Sequence, residues 1–262
     1  MSSQPKQPWS GFEPSTGTSP RADVEHAHSS AGLISHQAGI VVRAFLRGKE
    51  IYFFVSNIWD AIQNHHLNGL FYETEELQII ARYFKKGGVF LDIGSNVGNH
   101  AIYVEKFLEP GSIILIEPNP EAINILALNL TLNQLSRIDT QYIGIGLSDR
   151  EETVAIEVPV NNLGGARLRP QQGAGIRVVP GDSLFRGRSI DFMKIDVEGL
   201  ELQVLRGLEN TLAANRPRIF IEVENDNAAA FGDWAGQHRY RIVERFRRWP
   251  PNENFMIVPE EQ

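Results

Sequence analysis

The sequence predicts an α/β fold built around one mostly parallel sheet. From Gly88 onward, short apolar runs alternate with amphipathic helical patterns, which is the order expected when helices connect parallel strands. One of these runs leads into a glycine turn within "VFLDIGSNVGNH", residues 89–100. The chain has 262 residues, of which 42% are hydrophobic, and this is enough for one domain with a sizeable core.

The pattern places the main elements in order along the chain. We predict strands at 89–93, 112–116, 141–146, 190–195 and 218–223, and helices at about 97–108, 120–133 and 198–214. The helix after "IEPNP" is marked by Asn119 as its N-cap and Pro120 in its first turn. The runs "RYRIVERF" and "NFMIVP" are predicted as two closing strands around a proline turn.

A separate layer is expected before this sheet. Residues 1–35 are rich in Ser, Pro, Gly and Gln, a composition typical of a disordered tail. Residues 36–87 contain a β-hairpin in "IVVRAFLRGKEIYFFVSN", followed by a helical segment with an apolar stripe at Leu77, Ile80, Ala81 and Phe84. Residues 88–262 form the main domain.

Composition limits the classes of function. A formal net charge of −7 argues against an extended phosphate-binding surface, so no nucleic-acid partner is expected. The absence of cysteine excludes a disulfide framework and a thiolate nucleophile. No apolar run approaches the roughly 20 residues that span a bilayer, so we expect a soluble cytoplasmic protein. A homo-oligomer is left open.

The glycine turn indicates a nucleotide-like cofactor. A strand that passes through glycines into a helix lets the ligand approach the backbone and the free N–H groups of the helix N-terminus. Here a carboxylate, Asp92, ends the strand, and glycines follow only at Gly94 and Gly98, without the middle glycine of the dinucleotide fingerprint. Asp92 would repel a pyrophosphate but attract the sulfonium and ammonium groups of S-adenosylmethionine.

Acidic residues also follow three other predicted strands. Glu117 comes after "SIILI", where a carboxylate can accept hydrogen bonds from both ribose hydroxyls of either NAD or S-adenosylmethionine. Asp196 and Glu198 follow the strand in "DFMKIDVEG", and the carboxyl ends of strands face the ligand crevice. The alternative is that Glu198 only caps the next helix while Lys194 pairs with Asp196. "RIFIEVEN" adds Glu222 and Glu224 on one face of the fifth strand.

Taken in order, several motifs resemble those of the FkbM family of S-adenosylmethionine-dependent methyltransferases. They are "GLFYETEEL", "FLDIGSNVGNHAIY", "IEPNPEAINILALNL", "GLSDRE", "NNLGGARL", "DFMKIDVEGLELQVLRGL" and "IFIEVE", and the likeness extends from about Ile51 to Pro259. The resemblance implies a Rossmann-like class I methyltransferase fold, with a seven-stranded sheet whose last strand is antiparallel. It also implies methyl transfer, most often to a hydroxyl of a sugar or another natural product.

The resemblance assigns roles to individual residues. Asp92, Gly94 and Gly98 would line the methionine part of S-adenosylmethionine, with Asn96 of the same turn also binding the cofactor. Glu117 would bind the ribose, and Asp149 of "LSD" the adenine amino group. Asp196 and Glu198 would lie beside the transferable methyl, so a small-molecule hydroxyl acceptor would lose its proton to Asp196 or, failing that, to Glu198.

Histidines offer an alternative base. His100 follows the glycine turn at a helix start, where the helix dipole favours the neutral imidazole, although a packing role is equally compatible with the sequence. His65 and His66 lie in the N-terminal layer, where a substrate lid could form. No histidine spacing typical of a metal site occurs in the folded part, so no required metal is predicted.

Two other classes of function remain open. A nicotinamide-dependent oxidoreductase is disfavoured by the missing glycine and by Asp92, and a noncatalytic binding protein that retains the fold is disfavoured by the intact acids. A nucleic-acid amino-methyltransferase is also disfavoured, because the fourth strand ends in "IDVEG" and not in an Asn/Asp-Pro-Pro-aromatic run.

Overall fold

A β-hairpin precedes the main sheet, as predicted, and the predicted helical segment after it consists of two helices. The structure, a computed structural model, describes residues 38–170 and 175–260, so the predicted tail over residues 1–35 lies outside the described residues. The hairpin pairs β1 (Ile40–Leu46) with β2 (Lys49–Val55), and Arg47 and Gly48 take the positive φ angles of a tight turn. Helices α1 (Ala61–Leu67) and α2 (Thr74–Tyr83) follow.

The remaining elements form two sheets with flanking helices. In chain order the strands are β3 (Val89–Ile93), β4 (Ser112–Ile116), β5 (Ile138–Asp139), β6 (Ile145–Leu147), β7 (Glu152–Glu157), β8 (Arg167–Pro170), β9 (Ile176–Val179), β10 (Phe192–Ile195), β11 (Arg218–Glu224), β12 (Tyr240–Phe246) and β13 (Asn252–Pro259). The helices are α3 (Asn99–Leu108), α4 (Pro120–Leu132), α5 (Glu201–Gly207), α6 (Glu209–Asn215) and α7 (Ala228–Gln237).

The larger sheet has seven strands in the order β12-β13-β11-β10-β3-β4-β5. The pairs β10–β11, β10–β3, β3–β4 and β4–β5 are parallel, while β13 lies antiparallel between β11 and β12. This order and the antiparallel last strand confirm the predicted Rossmann-like methyltransferase fold. Because β3, β4, β10 and β11 are parallel, their carboxyl ends lie along one edge of the sheet.

Alternating side chains of the central strands form the core on both faces of the sheet. Phe90 and Phe192 are register partners on β3 and β10, and their rings stack on one face with centroids 5.4 Å apart. Leu91 and Met193 occupy the next register pair and are fully buried on the other face. The two-residue period of a strand therefore explains why apolar side chains of these strands are buried on both faces of the sheet.

Two predicted elements were wrong in detail. The predicted strand at 141–146 is a turn followed by the short strand β6, because Gly144 has φ +88°, a value that an extended strand does not adopt. β6 belongs to a second sheet of order β6-β9-β7-β8, which the sequence did not reveal. The predicted helix at 198–214 begins only at Glu201 and is divided into α5 and α6 at Leu208.

No helix among the described residues combines the length and the apolar character needed to cross a membrane.

Candidate active site

The glycine turn after β3 packs directly against the end of β10. Gly94 has φ +83°, and a Cβ atom there would lie 1.9 Å from the carbonyl oxygen of Asp196. The amide of Gly94 also donates to the carbonyl oxygen of Ile116, 2.9 Å away at the end of β4. Only glycine fits this close approach, and it brings the ends of three strands together.

Asp92 lies at the floor of this region. Its side chain is fully buried, and neither carboxylate oxygen has a hydrogen-bond partner among the described residues. Burial raises the pKa of Asp92 to about 6, although Lys194, whose Nζ atom is 3.8 Å away, acts in the opposite direction. Because buried polar groups normally have partners, these oxygens mark a position that favours a ligand carrying positive charge.

Lys194 connects the acids of two strands. Its Nζ atom donates to the Gly94 carbonyl oxygen at 2.8 Å and to the Asp196 carboxylate at 3.1 Å. Burial alone would lower the pKa of Lys194, but Asp196, Asp92 and Glu73 together raise it, so the side chain stays charged. The pairing of Lys194 with Asp196, considered above as an alternative, is present, and it also fixes the orientation of Asp196.

Glu117 follows β4 and faces the smaller of two neighbouring cavities. Its two carboxylate oxygens accept hydrogen bonds from the backbone amides of Asn96 and Asn119, each at 2.7 Å. Burial raises the pKa of Glu117 to about 7, and the two backbone bonds act against this shift. Each oxygen retains a lone pair for a ligand hydroxyl.

Two cavities meet at the carboxyl edge of the sheet. Glu117, Gly146, Leu163 and Leu168 line the smaller cavity, and the larger cavity has a volume of about 500 Å³. Both cavities are lined by Gly94, Asn96, Gly164, Asp196 and Glu198. The two predicted catalytic acids therefore lie where the cavities join.

Glu198 does not cap the helix that follows it. Its backbone has φ +48°, and the N-cap of α5 is Leu200. Burial raises the pKa of Glu198, and the negative charge of Asp196 raises it further. Arg167, a residue whose role the sequence did not reveal, lies 3.8 Å from Glu198 and forms a salt bridge with Glu224.

Glu222 completes a group of three acids in the larger cavity. Oxygen atoms of Asp196, Glu198 and Glu222 lie within 4.8 Å of one another. Burial and the nearby carboxylates raise the pKa of Glu222, which accepts a hydrogen bond from Asn252 at 2.6 Å. Three such oxygens can share protons or hold a hard divalent cation. The absence of a required metal, predicted from histidine spacing alone, stays a prediction.

Glu73 and His100 form part of the same cavity wall. Glu73 was not predicted as a site residue; it has φ +57° just before α2, and burial and Asp196 raise its pKa. The His100 Nε2 atom lies 3.7 Å from the Glu73 carboxylate and has no hydrogen-bond partner among the described residues. Burial, assisted by Lys194, lowers the pKa of His100 well below its usual range, so the imidazole is neutral.

His65 and His66 lie outside the cavity walls. His66 is buried and stacks on Phe53 with ring centroids 4.2 Å apart, and its Nε2 atom lies 3.1 Å from the Asn99 Oδ1 atom. His65 is exposed, and its Nδ1 atom lies 2.9 Å from the Ala61 carbonyl oxygen. These contacts favour structural roles within the N-terminal layer.

Asp149 does not line either of the two cavities. Its carboxylate accepts hydrogen bonds from Arg206, with the shorter contact at 2.7 Å, and this partner lowers the pKa of Asp149. Asp149 and Ser148 border a separate surface depression. A role at the adenine amino group stays a prediction; both Arg206 bonds go to the Oδ2 atom of Asp149.

Known proteins resemble this chain in sequence and fold. A hexuronic acid methyltransferase from Haloferax volcanii is 27% identical over 144 residues, which are 53% of this chain and 58% of that protein. Methyltransferase 1 of Beauveria bassiana is 24% identical over 151 residues, 48% of this chain and 61% of that protein. The chain thus spans about three fifths of these curated relatives.

Among solved structures, an FkbM methyltransferase from Methylobacillus flagellatus KT aligns with a TM-score of 0.49 at 18% identity, over 74% of this chain and 52% of that chain. The profile of the FkbM methyltransferase domain matches residues 92–247, more than half of the chain. This stretch contains Asp92, Glu117, Asp196 and Glu198, and the chain belongs to the FkbM methyltransferase family.

Proposed function

We propose that the protein transfers a methyl group from S-adenosylmethionine to a hydroxyl of a sugar, a glycosylated metabolite or a related polar natural product. The observation that carries this proposal is the position of Asp196 and Glu198 at the junction of two cavities. One cavity has the acids expected around a cationic, ribose-containing cofactor. The other cavity has a volume of about 500 Å³ and is the proposed binding site of the acceptor.

The residues of the smaller cavity fit S-adenosylmethionine chemically. Glu117 lines this cavity, and its remaining lone pairs suit ribose hydroxyls. Asp92 lines neither cavity and is buried directly before the glycine turn, where its unpartnered carboxylate favours a positively charged methionine part nearby. Gly94 leaves the backbone bare beside them. When bound, the cofactor supplies an electrophilic methyl on its sulfonium, so the protein itself only has to align the acceptor and accept a proton.

Asp196 and Glu198 are the proposed bases. Methyl transfer to oxygen needs a base within about 2.6–3.2 Å of the acceptor hydroxyl, and both acids line the acceptor cavity. Lys194 keeps Asp196 oriented by a direct hydrogen bond. Glu198 has a raised pKa, so its carboxylate is a stronger base than that of an ordinary glutamate. Neutral His100 is the third candidate.

A sugar-like acceptor is supported by the walls of the larger cavity and by one relative. Carboxylates of Glu73, Asp196, Glu198 and Glu222 line the cavity, and they accept hydrogen bonds from acceptor hydroxyls. The Haloferax volcanii relative is named a hexuronic acid methyltransferase, which supports a carbohydrate acceptor. We also propose that the reaction takes place in the cytoplasm, since S-adenosylmethionine is the cosubstrate.

The cofactor assignment is tested by thermal shift and calorimetry. S-adenosylhomocysteine is expected to raise the Tm and to bind with a micromolar Kd, whereas NAD should do neither. Stabilisation by NAD alone would favour the oxidoreductase, and binding of neither ligand would refute the proposal. Labelled S-adenosylmethionine with a panel of glycosides, nucleotide sugars, polyketides and peptides then locates the transferred methyl by mass spectrometry.

The base is identified by conservative substitution. Asp196→Asn and Glu198→Gln remove the charge with little change in volume, so loss of kcat with an unchanged cofactor Kd is expected for the residue that accepts the proton. Full turnover in both variants would move the role to His100 or show that alignment alone suffices. A methyl found on nitrogen would contradict the hydroxyl assignment.

A further inference from the structure

One wall of the larger cavity is aromatic. Tyr72, from the loop before α2, and Trp249, from the turn between β12 and β13, both line the cavity, and Trp249 is 52% exposed. Burial raises the pKa of Tyr72 to about 12, and a hydrogen bond from the Trp249 side chain acts in the opposite direction. The two side chains therefore meet in the cavity wall, and about half of the Trp249 surface is free of contacts with the protein.

The turn that carries Trp249 is held firmly. Arg248 donates to Glu75 at 2.6 Å and to Glu76 at 2.8 Å, which ties the turn to α2. On the other side, Arg247 donates to the Asn225 side chain at 2.9 Å. Two prolines follow Trp249 and restrict the backbone further. A side chain placed in this way needs little additional ordering when a ligand binds to it.

Other residues that line the same cavity are rich in hydrogen-bond acceptors. Asp196, Glu198 and Glu222 present carboxylates, and the Oδ1 atom of Asn252 is buried without a partner among the described residues. The Nδ2 atom of Asn252 donates to Glu222, so its orientation is fixed. The cavity thus combines a flat apolar face with a rim that accepts hydrogen bonds from several hydroxyls.

We infer that the acceptor is an uncharged pyranoside whose apolar C–H face stacks on Trp249 while its hydroxyls donate to the acids that line the same cavity. A pyranose has both surfaces that this cavity complements, an apolar ring face and a rim of hydroxyl donors. This inference rests on the proposed function and specifies the acceptor class.

The charges of the cavity exclude an acidic sugar as the preferred acceptor. Four carboxylates line the larger cavity, whereas its cations among the described residues are Lys194 and Arg167. Lys194 already contacts Asp196, and Arg167 already contacts Glu224 and Glu198. Further negative charge is disfavoured here, because burial and neighbouring carboxylates already raise the pKa values of Glu73, Glu198 and Glu222. A hexuronate carboxylate would therefore enter a cavity that resists negative charge, and without a free cationic partner. On this point the chain should differ from its Haloferax volcanii relative.

The stacking contact is tested with three tryptophan variants. Trp249→Ala should raise the KM for methyl α-D-glucopyranoside about tenfold, and Trp249→Phe should raise it less because a flat ring remains. Trp59 is a matched control, since it is 76% exposed and lines neither cavity, so Trp59→Ala should leave the KM unchanged. The Kd for S-adenosylhomocysteine should be the same in all three variants.

The charge preference is tested by binding and by turnover. Saturation-transfer NMR with the S-adenosylhomocysteine complex should show the methyl glucoside bound and methyl α-D-glucuronide bound at least tenfold more weakly at pH 8. A KM unchanged in Trp249→Ala, equal or tighter glucuronide binding with or without Mg²⁺, or no glycoside binding at all would overturn the inference. If S-adenosylhomocysteine itself fails to bind, the proposed function fails instead.

Discussion

Substitution of Glu117 by glutamine offers a sharp test of the cofactor site. In the structure both oxygens of Glu117 accept backbone hydrogen bonds, from Asn96 and Asn119, each at 2.7 Å. Glutamine keeps one oxygen but turns an NH₂ group toward the second backbone amide. The variant therefore loses the negative charge and one acceptor while its side-chain volume stays nearly the same.

The expected loss of affinity follows from the hydrogen bonds removed. One charge-assisted bond to a ribose hydroxyl contributes about 1.5–3 kcal/mol, so the Kd for S-adenosylhomocysteine should rise roughly 10-fold to 150-fold. Glu109→Gln serves as the control, because Glu109 is exposed and pairs only with Lys86 among the described residues. Its Kd should match that of the unmodified protein.

The pKa of Glu117 adds a second signature. Burial raises this pKa to about 7, so Glu117 is largely protonated at lower pH. Because the ribose hydroxyls donate to the ionised carboxylate, cofactor binding below pH 7 requires Glu117 to release its proton. The affinity of the unmodified protein should fall by about an order of magnitude between pH 7.5 and 5.5, and the fall should be smaller in Glu117→Gln. Calorimetry measures both quantities. An unchanged Kd in the folded variant, or an identical pH dependence, would refute the ribose assignment.

Three further predictions concern stability. Lys194→Met should lower the free energy of unfolding by about 3–5 kcal/mol, measured by urea denaturation, because it leaves Asp92 without its cation; a smaller loss would show that Lys194 is dispensable for the fold. Gly94→Ala should cost on the order of 3 kcal/mol and abolish cofactor binding, since its Cβ would lie 1.9 Å from the first carbonyl oxygen after β10. Gly87→Ala, with a similar φ of +81° and open space, should cost only about 1 kcal/mol, and equal losses would contradict the packing argument. Burial raises the pKa of Asp92 to about 6 and that of Glu117 to about 7, so these two acids bind more protons in the folded state than in the unfolded state. Their contribution to stability is therefore fully present below about pH 4 and is lost as the pH rises through 7. The difference in stability between pH 5 and pH 8, measured by denaturation of the cofactor-free protein, should therefore be shifted in favour of pH 8 in Asp92→Asn relative to the unmodified protein, and an identical pH dependence would refute the assignment of the Asp92 shift.

The sequence by itself determined the parallel sheet and the edge at which the site lies. The strand before Gly94 and the helix after it are recognised by the spacing of their apolar residues, which local backbone geometry determines. Parallel strands then place their carboxyl ends on one edge of the sheet. For this reason Asp92, Glu117, Asp196 and Glu198 could be named together from a linear pattern. The same reasoning could not detect the second sheet, which contains β6, β7, β8 and β9. These strands are too short to show a clear two-residue period.

Only the tertiary structure decided which side chains from distant parts of the sequence meet at the site. Glu73 and Trp249 are separated along the chain from the strands that carry the acids, and they reach the larger cavity through loops whose paths local sequence does not specify. Asp149 follows a strand as the acids do, yet it contacts Arg206 and not the cavities. Burial and neighbouring charges shift the pKa values of Asp92, Glu117 and Glu198, and both depend on distances of a few ångströms between residues far apart in sequence.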